Sequence, residues 1–300
     1  SAITVTTSGN YTVRGVNSNG CTSNESSAIA VTVNSVPVSG AGNDTAICTG
    51  QSIALTATGG TSYLWSNGAT TATTTVSPTV TTTYTITVTN ACGSATDNVV
   101  VTVNSLPVAS AGLDQNSCAG QSVVLTATGG ISYLWSNGNT TASVTVSPTT
   151  TTTYMVIVTG ASGCSATDNV VVNVNPLPSA PTISAGGSTI FCSGGSVVLT
   201  ASAGYVAYSW STGATTSAIT VTTSGNYTVR GVNSNGCTSN ESSAIAVTVN
   251  SVPDANAGTD QTICTGQSAV LTATGGTSYS WSGGIMNGVA FVPTATTTYT

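Results

Sequence analysis

The sequence predicts an all-β chain of tandem antiparallel β-sandwiches strung into an elongated rod. Three observations carry that prediction. One stretch recurs four times: CTGQSIALTATGGTSYLWSNG from Cys48, CAGQSVVLTATGGISYLWSNG from Cys118, CSGGSVVLTASAGYVAYSWSTG from Cys192 and CTGQSAVLTATGGTSYSWSGG from Cys264. Apolar residues alternate with Thr and Ser at period two, the strand period. Val, Ile and Thr are abundant, and their β-branching favours strands; no segment shows a helical period.

The elements follow in order within the first whole repeat. Ile53, Leu55 and Ala57 point one way while Ser52, Thr56 and Thr58 point the other. Tyr63 and Trp65 share a face of the next strand, and Asn67-Gly68 signals a turn. A Thr-rich strand is expected over 69–76, then Ser77-Pro78. Tyr84, Ile86 and Val88 alternate with Thr85, Thr87 and Thr89. A turn around Cys92 is expected over 90–98, and Val99, Val101 and Val103 alternate on the last strand. Six or seven short strands with one apolar face each fold as two facing sheets. The later repeats scan the same way, through Tyr154, Val156 and Val158, then Tyr227, Val229, Ile245, Val247 and Val249.

Two periods are nested. The repeated cysteines lie 70, 74 and 72 residues apart, and residues 1–37 return unchanged as 217–253. The expected organisation is the C-terminal part of a module (1–37), three whole modules (38–107, 108–178 and 179–253) and the N-terminal part of another (254–300). Pro- and Gly-bearing linkers at 34–42, 104–112, 175–187 and 250–258 separate them. They are too short for independent beads, so neighbouring modules are expected to touch. Ser1 is not an initiator Met and falls in mid-repeat, which reads as a segment of something larger.

Composition excludes several functions. Only 3% of residues are charged, and the cations are Arg14 and Arg230 alone. Phosphate neutralisation needs Lys and Arg, so no nucleic-acid partner is expected. No apolar run is long enough to span a membrane. The chain holds no His, no Lys and eight scattered acids, which supply no triad and no base–nucleophile pair. An enzyme is not expected.

The opening AGxDxxxCxG (Ala41 to Gly50), the LTATGG strand, YxWSNG, TTTYTxxVT and the VVVTVN ending resemble the immunoglobulin-like and PKD-like tandem repeats of giant Bacteroidetes-type cell-surface adhesins. These include gliding-motility adhesins and other secreted repeat proteins, and the resemblance covers the whole chain. It implies immunoglobulin-like β-sandwiches at the bacterial cell surface, exported by type IX secretion. The implied role is the stalk or filament shaft of an adhesin, spacing a distal adhesive domain from the cell. Its partners would be neighbouring modules, other copies in a filament, and surface glycans reached through domains outside residues 1–300. Two alternatives stand beside it: a glycan-binding array, and a filament built by strand donation between chains.

The cysteines fall into two classes. Cys48, Cys118, Cys192 and Cys264 precede the first long strand; Cys21, Cys92, Cys164 and Cys237 lie in the last hairpin. Regular pairing without His favours disulfides over zinc. Two connectivities are open. Two cysteines per module suggest internal bonds, Cys48–Cys92, Cys118–Cys164 and Cys192–Cys237. The two turns, however, lie at opposite ends of a sandwich, and a seven-residue strand spans roughly 23 Å against a bridging limit of ~7 Å. End-to-end contact therefore favours Cys48–Cys164 and Cys118–Cys237, which would stitch neighbouring modules.

Trp65, Trp135, Trp210 and Trp281, each with a nearby Tyr, read as core residues rather than a sugar-stacking platform. Tyr84, Tyr154 and Tyr227 suit either the core or a hydroxyl-to-backbone corner. Asp44, Asp114 and Asp260 are isolated carboxylates, and Ca²⁺ needs six to eight oxygens. They fit turns at the module entrance better than calcium, and no cofactor is expected. Asp97 and Asp168 are expected to cap the last hairpin. The Thr ladders read as a neutral, soluble β-surface. Asp44-Thr45-Ala46 is similar to the O-glycosylation acceptor described for such bacteria, which singles out Thr45.

Overall fold

The structure, a computed structural model, describes residues 2–300. Its residues fall into two compact units. One comprises the chain up to Gln115 with Ser122–Val146 and Thr152–Val172; the other comprises Asn116–Gln121, Ser147–Thr151 and Asn173–Thr300.

The first unit opens with two short strands, β1 (Gly9–Tyr11) and β2 (Ile29–Val31), paired antiparallel. Then follow β3 (Thr45–Cys48), β4 (Ile53–Thr56), β5 (Ser62–Trp65), β6 (Thr73–Val76), β7 (Thr82–Asn90) and β8 (Gly93–Asn104). They make a sheet in the order β3-β8-β7-β5 and a pair β4-β6. Their alternating residues meet in one core, where Leu55, Trp65, Ile86, Val88, Val99 and Val101 are buried. A second set continues the pattern, with most of β9 and the end of β14 belonging to the second unit: β9 (Gln115–Cys118), β10 (Val123–Thr126), β11 (Ser132–Trp135), β12 (Ser143–Val146), β13 (Thr152–Thr159) and β14 (Ser165–Asn175). Here β10 pairs with β12, and β13 lies between β11 and β14.

In the second unit the strands are β15 (Ile183–Ala185), β16 (Ile190–Cys192), β17 (Val197–Ala201), β18 (Ala207–Trp210), β19 (Ala218–Val221), β20 (Gly225–Tyr227), β21 (Val229–Val232) and β22 (Ile245–Asn250). They form three small sheets, β15-β17-β19, β16-β22-β20 and β18-β21. Leu199, Trp210, Val229 and Val247 fill the core. Residues 254–300 hold two isolated bridges, Asn256 with Thr274 and Ala269 with Phe291, and one 3₁₀ turn at Ser282–Gly284.

The structure corrects the sequence reading in three places. The sandwiches are not wholly antiparallel: β3 runs parallel to β8, and β16 parallel to β22. These partners open and close one repeat, so the intervening strands provide the crossover that a parallel pair requires. The turn expected over 90–98 shrinks to Ala91–Cys92, because β7 and β8 pair out to Asn90 and Gly93. The strand expected over 69–76 starts only at Thr73. Residues 69–72 instead wrap the edge of Trp65, whose Nε1 donates to the Thr71 carbonyl at 3.1 Å.

In three of the four repeats the Gly-Gly of LTATGG packs against the preceding linker; the third repeat has Ser202-Ala203-Gly204 instead. Gly59 has φ +101°, and a Cβ there would overlap the Val38 carbonyl; Gly129 and Gly275 stand equally tight against Val108 and Asp254. Only glycine lets the backbones approach this closely at positive φ.

Candidate functional site

Among the described residues, the cysteines form covalent cross-links. Cys48 ends β3, and its register partner is Asn104, the last residue of β8. Cys92 sits at the opposite end of that same 12-residue strand. At about 3.3 Å per residue the two ends are roughly 36 Å apart, far beyond disulfide reach. Cys48 instead bonds Cys164, 116 residues on, with the Cα atoms 5.7 Å apart. Cys118 bonds Cys237, 119 residues on, at 5.5 Å. The internal pairs Cys48–Cys92, Cys118–Cys164 and Cys192–Cys237 are therefore not formed. Cys21, Cys92, Cys192 and Cys264 are free, exposed thiols.

The surroundings show how each bond is seated. Cys164 and Cys237 are buried. The Asn104 carbonyl accepts from Thr49 N at 2.9 Å and lies 4.0 Å from Cys164 Sγ. The Asn175 carbonyl repeats this with Ala119 N at 3.0 Å and Cys237 Sγ at 3.9 Å. Each bond thus lies where a last strand leaves its sheet. An Asn in the hairpin then docks on a linker: Asn233 Nδ2 donates to the Pro176 carbonyl, while its Oδ1 accepts from Cys237 N. Asn90 does the same with Ser35 and Cys92. The sequence pattern gave no reason to single out these asparagines, since Asn is common in any turn.

Asp44, Asp97, Asp114 and Asp168 have a different role from the one expected. Asp97 lies inside β8 and Asp168 inside β14, so neither caps a hairpin. Asp97 Oδ2 accepts from Ala41 N at 2.9 Å, and Asp168 Oδ2 from Ala111 N at 2.8 Å. In return Asp44 Oδ1 accepts from Val100 N and Asp114 Oδ1 from Val171 N, both at 2.8 Å. Each pair clamps the first strand to the last, a long-range bond rather than a turn within the module entrance. Asp260 is exposed. Among the described residues no three His, Cys, Asp or Glu side chains group as metal ligands. Thr45 is half-buried within β3.

The Ala41 amide, and then the Asn98 amide, hold the Asp97 carboxyl below the usual carboxylate range. Ala111 and Asn169 do the same for Asp168. A folded value below the unfolded one means the clamps add stability above the ordinary value of about 4, which fades as pH falls through the folded value. Asp97→Asn and Asp168→Asn can still accept those bonds but cannot titrate. Thermal melts from about pH 6 to pH 2 should therefore show a flatter acid decline in the double variant. An unchanged decline would place its origin elsewhere.

The aromatic residues point inward. Trp65, Trp135, Trp210 and Trp281 are all buried. Their neighbours bond their own turns: Tyr63 Oη donates to the Gly60 carbonyl, Tyr133 to Gly130, Tyr208 to Ser202 and Tyr279 to Gly276. Tyr227 makes the corner bond, to the Thr223 carbonyl at 2.9 Å. The ion pairs Arg14–Glu25 and Arg230–Glu241 are exposed and long, at 3.7 and 3.9 Å, so they contribute little.

No family model and no curated protein matches this chain. Among solved structures it is similar to immunoglobulin domains 1–5 of Sidekick-1, at 14% identity over 82% of this chain and 67% of that one, with a TM-score of 0.27. It is also similar to the titin I-band fragment I67–I69 (11% identity, 73% and 100% covered, TM-score 0.35) and to titin A168–A170 (17%, 71% and 99%, 0.27). The strand order carries the fold assignment: a sheet β3-β8-β7-β5 facing β4-β6, with first and last strands parallel. The sandwiches are immunoglobulin-like.

Proposed function

We propose that this chain is a covalently stapled spacer, a stalk segment of a large extracellular surface protein that holds a distal adhesive domain away from the cell. One observation carries the reading. Both disulfides join the turn after a first strand to a hairpin more than a hundred residues further on, longer than one repeat. Persistent disulfides belong to oxidising compartments, which supports an extracellular location. The exact return of residues 1–37 as 217–253 supports a spacer, because interchangeable copies suit a shaft and not a unique site. A stalk also fits the inward-facing aromatics. The bacterial surface, type IX export and gliding adhesion belong to this proposal through the resemblance of the repeats.

The bonds interleave, and that limits extension. Under tension the taut path crosses from Cys48 to Cys164, runs back to Cys118 and crosses to Cys237. Most of the chain between Cys48 and Cys237 is then slack. A single oxidised molecule, pulled from its ends until unfolded, should be on the order of 500 Å shorter than a reduced one, at ~3.5 Å per residue. Equal lengths in the two states would overturn the stapled-spacer reading.

A further inference from the structure

Asn-x-Ser/Thr is the acceptor pattern for N-linked glycans on exported chains. The sequence holds it six times, at Asn10, Asn24, Asn43, Asn139, Asn226 and Asn240. Folding engages most of these triplets elsewhere. Asn226 lies in β20, and the hydroxyl of Thr228 donates to Glu241 at 2.9 Å. Ser242, which closes the Asn240 triplet, is buried; its Oγ accepts from Val229 N and donates to the Ser243 carbonyl. Asn10 and Asn24 repeat the pattern, with Thr12 donating to Glu25 and Ser26 to the Ser27 carbonyl. In the Asn43 triplet, Asp44 is tied to Val100 N and Thr45 is half-buried at the start of β3.

Asn139-Thr140-Thr141 is arranged differently. It follows β11 in a turn hung from a core residue: Trp135 N donates to the Asn139 carbonyl, and Gly138 N to the Trp135 carbonyl, both at 2.8 Å. Asn137 Oδ1 steadies the turn by accepting from Asn139 N at 3.1 Å. Asn139 Oδ1 then accepts twice from its own triplet, from Thr141 N at 2.8 Å and from Thr141 Oγ1 at 2.6 Å. Its Nδ2 bonds nothing among the described residues. It is open to solvent, because Ser117 Oγ is the one side-chain nitrogen or oxygen there that is both buried and unbonded. Thr140 and Thr141 are exposed. The first and third sandwiches build the same turn on Ala69 and Ala214, whose carbonyls accept from Trp65 N and Trp210 N. The second sandwich alone of these three carries the acceptor.

We propose that Asn139 is the N-glycosylation site of the folded chain, accepting an oligosaccharide from a lipid diphosphate carrier. The two donors on Oδ1 stand where negative charge develops as the amide nitrogen loses a proton, which is where preorganised donors act most strongly. A base of the transferase takes one Nδ2 proton. Nδ2 attacks the anomeric carbon of the sugar and a carbon–nitrogen bond forms. The carbon–oxygen bond to the diphosphate breaks, and its electron pair leaves with the lipid diphosphate. Nothing is oxidised or reduced. The Thr141 hydroxyl positions the acceptor through Oδ1 and does not itself react. Because the turn is seated on Trp135, the acceptor is preset in the native sandwich and needs no unfolding to be reached.

The site does not depend on the spacer reading, and the single-molecule length test above holds or fails without it. The experiment incubates the folded 300-residue chain with an oligosaccharyltransferase and a polyprenyl-diphosphate-linked oligosaccharide. Intact mass counts the glycans and peptide mapping locates them. The expected result is a single glycan, on Asn139. Thr141→Ala keeps the acceptor nitrogen but removes the hydroxyl, and should abolish the modification; Thr141→Ser, which restores a hydroxyl, should recover it. Asn139→Ala should fold and stay unmodified, since the first and third sandwiches already carry alanine there. Ala69→Asn completes the same triplet with Thr70 and Thr71 on the equivalent turn, and should gain a second glycan. A folded chain that takes no glycan would overturn the proposal. So would a glycan on Asn43, Asn226 or Asn240, one that survives Thr141→Ala, or an Ala69→Asn variant that gains none.

Discussion

Replacing both partners of one staple, Cys48→Ser with Cys164→Ser, is expected to destabilise the first unit by about 4–5 kcal/mol. The bond closes a loop of 116 residues, and a loop that long removes much of the unfolded chain's freedom. Cys164 is also buried, so its serine replacement places a hydroxyl in space shaped for sulfur. Denaturant unfolding of the double variant against the parent measures the difference. Cys92→Ser is the control: that thiol is free and exposed, and its loss should stay within about 0.5 kcal/mol. Equal costs at the two sites would mean the stabilisation does not come from the crosslink. Removing Cys118–Cys237 as well should not simply double the effect, because the two loops share the chain between Cys118 and Cys164.

Trp65→Ala is expected to cost about 3–5 kcal/mol, nearly the whole stability of a small domain. The side chain is 1% exposed and packs among the valines of β7 and β8. Truncation leaves a cavity that two facing sheets cannot collapse, and it strands the Thr71 carbonyl that accepts Trp65 Nε1. Trp65→Phe should fall in between, since it keeps most of the volume and loses the bond. Tyr63→Phe removes only the hydroxyl bond to Gly60 and should cost about 1 kcal/mol. Intrinsic fluorescence during chemical unfolding distinguishes them. A Trp65→Ala variant as stable as Tyr63→Phe would show that this Trp is not a keystone of the core.

Much of this was legible in the chain itself. Period two placed Leu55, Ile86, Val88, Val99 and Val101 in the core, because a strand sends alternate side chains to opposite faces. The recurring Trp read correctly as core for the same reason. Long-range backbone bonds were not legible. Asp44 and Asp97 looked like local turn residues because their partners, Val100 and Ala41, lie 56 positions away, and periodicity carries no information over that distance. The length of the β7–β8 hairpin was also missed. Asn98, Asp97 and Thr96 look like turn residues, yet each pairs across the ladder, with Thr85, Ile86 and Thr87. Tertiary pairing overrode their turn propensity.

The sequence by itself determined the repeat, the strand period, the inward face and the two classes of cysteine. Local sterics and side-chain alternation write those directly into residue order. It left the partner of Cys48 open between Cys92 and Cys164. Only the tertiary structure decided, because the choice depends on where the two ends of β8 lie. The parallel pairing of β3 with β8 sets Cys48 beside Asn104 and a full strand away from Cys92. A disulfide tolerates only a few ångströms between its Cα atoms, so the register of one strand pair selects the bond.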